Sequence, residues 1–321
     1  MKSFAFVFPG QGSQSVAMLD AWGDHPVVLE TLAEASEALA QDVGQLIREG
    51  PKEVLDLTTN TQPVMLVAAL AAYRAWIAET GTAPSVLAGH SLGEYSALVA
   101  AGVLTLAQAA PLVRFRAQAM QQAVPVGQGA MAAILGLESD KVIAGCADAT
   151  AAFGADSTEI VEAVNFNDPQ QTVIAGTKAA VTRACEVLKG SGAKRAMILP
   201  VSAPFHSSLM RPAAEQLRQR LANLDLLAPR IPVINNVDVA AEVAADRIRE
   251  ALYRQAFAPV RWVECVRAIQ SRGLSSVVEC GPGKVLAGLV KRIAPEMQGL
   301  AMFDPVSLTA VRTALALPGV A

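Results

Sequence analysis

Residues 4–8 (FAFVF) are five consecutive apolar positions closed by PGQGS. An unbroken apolar run of that length predicts a strand buried on both faces, as in a parallel sheet. A helix is predicted over 63–79, with Thr61 able to cap it and Pro63 in its first turn. Its centre, VMLVAALAAYRAW, is apolar nearly all round, so the helix is expected to be buried; Arg74 interrupts it short of a membrane-spanning length. A short strand at 85–88 (SVLA) runs into GHSLGEYSALVAAG. There Leu92, Tyr95, Ser96 and Val99 share one helical face, and Gly102 can end the helix. The next helix, 106–122, places Val113, Arg116, Ala117 and Met120 on its apolar side, while Arg114 lies with Gln118 and Gln121 and reads as solvated.

From Gly129 the pattern changes to strand (AMAAILGL), helix (139–149), strand (160–166), a turn at NDPQ, strand (QTVIAG), helix (178–189) and strand (193–199). This βαββαβ order is that of the ferredoxin-like split βαβ unit. The predicted fold class is therefore α/β: a large hydrolase-like domain with a parallel-sheet core, built from 1–125 and 196–321, and a small ferredoxin-like domain inserted at 126–195. The return segment AMILPVSAPFHSS is read as a strand ending in a loop that carries His206. An amphipathic helix follows with Leu209, Ala213, Leu217 and Leu221 in register, and Ser207 or Ser208 is expected to cap it. PVINNVD and SSVVECGPG predict two more strands, the second leading into a helix near Lys284. The chain after Gly299 offers no clear pattern.

Composition narrows the function classes. A hydrophobic fraction of 52% supplies ample core for a chain of 321 residues, enough for one large and one small unit. The balance of 26 Lys and Arg against 29 Asp and Glu gives a net charge of -3, so no global field argues for nucleic acid or an anionic membrane. Cys146, Cys185, Cys265 and Cys280 are scattered without metal-ligand spacing and read as buried free thiols of a reducing compartment. The apolar run before Pro9 is too short for a secretory signal, so the expected location is the cytoplasm.

Gly89, His90, Ser91, Leu92 and Gly93 form GxSxG between a predicted strand and a predicted helix, the setting of a nucleophile elbow. Ser91 is then the candidate nucleophile, and the backbone N–H of Leu92 faces the place where an oxyanion would form. A serine hydroxyl needs a base to take its proton. Three histidines are available: His25 sits in a polar turn and reads as a surface residue, His90 should point away from its neighbour Ser91, and His206 ends a strand, where ligand sites gather in open α/β sheets. His206 is the candidate base. No carboxylate stands out as a third member, which leaves a backbone carbonyl to orient the imidazole. The inward-facing Arg116 requires either an internal salt bridge or a substrate carboxylate to clamp. Gln11, in a glycine-flanked loop after a buried strand, is either a second oxyanion donor through its backbone N–H or a loop turn. GPGK at 281–284 lacks the phosphate-loop pattern and reads as packing or a pocket wall.

GQGSQ (10–14), TQP (61–63), GHSLGEYSAL (89–98), RFRAQAM (114–120), APFHS (203–207), INNVD (234–238) and ECGPGKVLAGL (279–289) occur in this order. Together they closely resemble the malonyl-CoA:acyl carrier protein transacylases, over essentially the whole chain to about position 293. The resemblance implies Ser91 as nucleophile, His206 as base, Arg116 as the group that binds the malonyl carboxylate, and Gln11 with Leu92 as the oxyanion hole. It also implies Gln62 as a pocket residue and a backbone carbonyl near Gln255 as the group that orients the histidine. No cofactor or metal is implied. The partners implied are malonyl-CoA and an acidic acyl carrier protein, with no nucleic acid or membrane. The reaction implied is ping-pong transfer through a malonyl-serine intermediate, supplying fatty acid synthesis; a polyketide pathway stays open as the alternative. Leu92 after the nucleophile and Phe205 before the histidine resemble the malonyl-selective members, and a bulky Phe205 would crowd an α-methyl group. Lys178, Arg183, Lys189, Lys194 and Arg195 form a candidate surface for the carrier. An esterase-type serine hydrolase would share Ser91 and His206, but its HGGG segment is absent, as is the Asp-Gly segment of a patatin-like hydrolase. A non-catalytic scaffold of the same fold would be expected to lack Ser91, His206 or Arg116.

Overall fold

The computed structural model describes residues 3–201 and 203–317; position 202 of the return segment and the domain limits expected at 1 and 321 lie outside the described residues. Nine strands are present among them: β1 (Phe4–Phe8), β2 (Val86–Gly89), β3 (Gly129–Leu135), β4 (Val161–Asp168), β5 (Gln171–Thr177), β6 (Arg195–Ile198), β7 (Val233–Ile234), β8 (Ser276–Cys280) and β9 (Gln298–Met302). A five-stranded sheet runs in the order β7-β2-β1-β8-β9 with every pairing parallel.

The central strand explains its own sequence. Phe4, Phe6 and Phe8 face the helix Thr58–Thr80, where Phe6 meets Trp76 edge-on at 5.4 Å and Phe8 meets Tyr73 at 6.1 Å. Ala5 and Val7 pack on the other face with Trp262, Val266 and Val290. Both faces are covered, so the strand has no use for a polar position; each large side chain buried there contributes about 1.5–3 kcal/mol.

The second sheet runs β4-β5-β3-β6, antiparallel throughout, and the helices Ser139–Ala151 and Lys178–Gly190 follow β3 and β5 along the chain. That is the strand order of a ferredoxin-like unit. Ala132, Ile134 and Ile174 pack under the two helices, while Met131, Val173 and Ala175 join the core of the large sheet. Because β6 begins at Arg195, the boundary expected at 195 falls on its first residue.

Several elements differ from the pattern-based reading. The helix expected from 63 begins at Thr58: the Leu57 carbonyl accepts the amides of Asn60 and Thr61, both at 2.7 Å. Thr61 is no cap, since its hydroxyl donates to the Leu55 carbonyl at 2.6 Å, and Pro63 lies inside the helix. The earlier start places Gln62 on a rigid, buried turn. After His206, neither Ser207 nor Ser208 caps the helix; Ser207 donates to the Pro204 carbonyl at 2.7 Å, and the helix Arg211–Ala222 opens with Pro212 after a 3-10 turn. Leu209 therefore lies before the helix, whose buried residues include Ala213, Leu217 and Leu221. Beyond 299 the chain completes β9 and forms the helix Pro305–Ala314, capped by Asp304 and Ser307. No helix among the described residues is long and apolar enough to cross a membrane.

Candidate active site

The carboxyl ends of β1 and β2 bring Gln11 and Ser91 toward one another. The elbow after β2 is closed so tightly that a Cβ on Gly89 would lie 1.9 Å from the Gly93 carbonyl carbon, and one on Gly93 would lie 2.0 Å from the Phe8 carbonyl oxygen. Only glycine fits at either position. Between them Ser91 takes φ +53°, in the left-handed region that costs a non-glycine residue about 1–3 kcal/mol. Two amide side chains from distant parts of the chain hold it there: Asn236 Oδ1 accepts the Ser91 N–H at 2.8 Å, and Gln255 Nε2 donates to the Ser91 carbonyl at 3.0 Å. Asn236 in turn donates to the Gly89 carbonyl at 2.7 Å.

Ser91 Oγ lies 2.7 Å from His206 Nε2, and His206 Nδ1 lies 2.8 Å from the Gln255 carbonyl. A carbonyl only accepts, so Nδ1 carries the proton and Nε2 is free to take one from the serine. Burial, and then the nearby charge of Arg116, push the imidazole pKa down to about 3. The imidazole is therefore neutral near pH 7. An unfolded histidine would gain its proton near 6.5, so acidification between those two values favours the unfolded chain.

Arg116 is 2% exposed and donates to Gln62 Oε1 at 2.7 Å, Gln255 Oε1 at 3.1 Å and Ser91 Oγ at 3.2 Å. Its guanidinium carbon stands 5.4 Å from the centre of the Tyr95 ring. No carboxylate pairs with it directly among the described residues, so the internal salt bridge considered from sequence is not formed. Burial works against its charge, while Tyr95 and Glu94 support it. Gln62 Nε2 donates to Gln11 Oε1 at 3.1 Å, and Gln11 Nε2 to Thr58 Oγ1 at 3.3 Å. Neither the Gln11 nor the Leu92 backbone amide donates to another described residue. Both stay available for an incoming oxygen, Leu92 at the start of the helix Gly93–Ala100.

The structure thus gathers Ser91, His206, Arg116, Gln62, Gln11, Leu92 and Gln255 at one place. The other two histidines lie apart from the reacting pair. His90 turns away to Asn167 Oδ1 at 2.8 Å and packs on Trp262, whereas His25 is half-buried beside Trp22 rather than free on the surface. Arg114 is half-buried too, donating to Gln41 instead of standing in solvent. Sequence reasoning passed over Asn236 and Glu94, and saw only the backbone of Gln255. The signal for Asn236 was two adjacent asparagines directly after an apolar stretch; for Glu94, a carboxylate one turn beyond the elbow serine. No group of three or more His, Cys, Asp or Glu side chains among the described residues is placed to hold a metal ion. All four cysteines are buried and free.

An elbow serine against a neutral histidine, at the carboxyl edge of a parallel sheet, marks the class of α/β enzymes that move acyl groups through a serine. Residues 5–303 match the family model described as acyl transferase domain, and the chain belongs to that family. It is 51% identical over 313 residues to the malonyl CoA-acyl carrier protein transacylase of Haemophilus influenzae, covering 97% of this chain and 98% of that protein. The crystal structure of an acyl-carrier-protein S-malonyltransferase from Burkholderia pseudomallei superposes with a TM-score of 0.94 at 62% identity, over 99% of this chain and 100% of the other. A malonyl-transacylase solved in complex with a type II PKS acyl-carrier protein superposes at 0.93 with 47% identity, over 98% and 99% of the two chains.

Proposed function

We infer that this protein transfers a malonyl group from malonyl-CoA to the phosphopantetheine thiol of an acyl carrier protein, through a malonyl ester on Ser91. The observation that carries this reading is the buried Arg116 guanidinium 3.2 Å from Ser91 Oγ. A cation that close to the nucleophile suits a carboxylate one carbon removed from the carbonyl under attack.

In the first half-reaction His206 Nε2 takes the Ser91 proton while Oγ attacks the thioester carbonyl, whose oxygen moves toward the amides of Gln11 and Leu92. Collapse of the adduct breaks the carbon–sulfur bond, and the imidazolium returns the proton to the leaving CoA thiolate. In the second half-reaction His206 takes the proton of the carrier thiol, the sulfur attacks the ester, and Ser91 regains its proton. His206 is recharged in each half, and the Gln255 carbonyl holds the ring through both. Phe205, buried beside His206, is the wall that favours an unsubstituted malonyl group.

Within this reading the large unit, 1–125 and 196–321, carries the chemistry, and the inserted unit at 126–195 offers the exposed cations Lys178, Arg183, Lys189, Lys194 and Arg195 to the acidic carrier. The protein works in the cytoplasm and supplies fatty acid synthesis. Supply of a polyketide carrier is the second reading, favoured by the likeness to the malonyl-transacylase that is seated on a type II PKS carrier.

Initial rates measured while malonyl-CoA and carrier are both varied are expected to give parallel double-reciprocal lines, because CoA leaves before the carrier reacts. Intersecting lines would show a ternary complex and reject the malonyl-serine route.

A further inference from the structure

Glu94 is 2% exposed, one helical turn beyond the nucleophile, and none of the steps above uses it. Its Oε2 accepts two hydrogen bonds of 2.9 Å, one from the Asn236 backbone N–H and one from Gln255 Nε2. Those two partners are the residues that hold Ser91 in its strained conformation, at its N–H and at its carbonyl. Gln255 also accepts from Arg116 through Oε1 and from His206 through its backbone carbonyl. Ser91, His206 and Arg116 therefore each hydrogen-bond to Gln255.

The Gln255 amide works in one orientation only. Its NH2 must face the Ser91 carbonyl and Glu94, and its oxygen must face the guanidinium. Turned over, it would set its NH2 against the N–H groups of Arg116 and its oxygen against the Ser91 carbonyl. A carboxylate at position 94 forbids that flip because it can only accept. A glutamine there would fill the same space but could also donate, which removes that obstacle and leaves only Arg116 and the Ser91 carbonyl to hold the amide in place. The same amide lies between a carboxylate and a guanidinium, so Glu94 is the negative charge that faces Arg116 across one polar group.

We propose that Glu94 is a positioning residue for acyl transfer: it fixes the orientation of the Gln255 amide and supplies the charge opposite Arg116. The proposal rests on the malonyl-transfer reading and deepens it. Burial raises the Glu94 carboxyl to about 7, against the pull of the Gln255 and Asn236 donors and of Arg116.

The test is the rate of malonyl-enzyme formation from malonyl-CoA, followed by rapid quench and intact mass, for the wild type and for Glu94→Gln. The expected result is a fall in the saturating rate of about tenfold or more without a rise in KM, since Arg116 stays in place and keeps its charge. A site that had merely loosened would raise KM as Arg116 drifted. Glu94→Asp and Glu94→Asn, equal in size and different in charge, give a second comparison should the glutamine variant fail to fold. The Asn variant is expected to be slower than the Asp variant by a similar factor. Equal rates for Asp and Asn, or a glutamine variant as fast as the wild type, overturn the proposal. Wild-type protein that gains no malonyl group overturns the underlying reading as well, so the two failures are distinguishable.

Discussion

Replacing His206 with alanine is expected to slow malonyl transfer by about 10²–10⁴-fold at neutral pH, the usual contribution of a positioned general base. The hydrogen bond of 2.7 Å from the serine has no other basic acceptor, because His90 is turned to Asn167 and His25 lies beside Trp22. Ser91 would then attack as an ordinary alcohol with a pKa far above neutrality. The loss should sit in the saturating rate and leave malonyl-CoA binding nearly unchanged, since Arg116 keeps its hydrogen bonds to Gln62 and to the Gln255 side chain. Raising the pH should restore part of the lost rate as hydroxide replaces the base. Steady-state kinetics of the variant between neutral and alkaline pH provide the measurement, and a variant within a few-fold of wild type would remove His206 from the mechanism.

Arg116→Ala is expected to lower kcat/KM for malonyl-CoA by at least about a hundredfold, because two charge-assisted hydrogen bonds of about 1.5–3 kcal/mol each are lost together. Acetyl-CoA should lose far less, since it offers the fork nothing to bind. The ratio of malonyl to acetyl transfer, measured by competition between the two thioesters, therefore falls steeply. The physical basis is that Gln62, Gln255 and Ser91 offer the guanidinium only neutral acceptors. An acetyl group would bring the buried guanidinium no charged acceptor, whereas the malonyl carboxylate would bring one. An unchanged ratio would mean that Arg116 is there for packing alone.

How much of this was legible in the chain depends on how local each cause is. The elbow was legible because its two glycines, its serine and the flanking strand and helix fall within fifteen residues and are fixed by sterics. Arg116 was legible because a charged residue on the apolar stripe of a helix contradicts its neighbours. Gln62 and Gln255 came into view only through the family resemblance. Their contacts with Arg116 span 54 and 139 positions, and no periodicity records such a distance. Glu94 stayed hidden for a different reason: a glutamate near the start of a helix reads as an ordinary favourable charge, and nothing in its spacing announces that it is buried. The start of the helix at Thr58 was missed because TTNTQ has the composition of a turn, yet the fold buries Thr58, Thr61 and Gln62 and the Thr61 hydroxyl donates to the Leu55 carbonyl. The last strand and helix were missed because QGLAM is too short and mild to register alone; its place beside β8 gives it its structure.

The claim on which the rest depends is that the Ser91 hydroxyl becomes an ester of malonate. Brief mixing with malonyl-CoA, acid quench and peptide mapping by mass spectrometry address it directly. The expected result is one added malonyl group, on the peptide that holds Ser91, released when carrier protein is supplied, and none on the Ser91→Ala variant. A malonyl group found on another residue, or on the alanine variant, would contradict it.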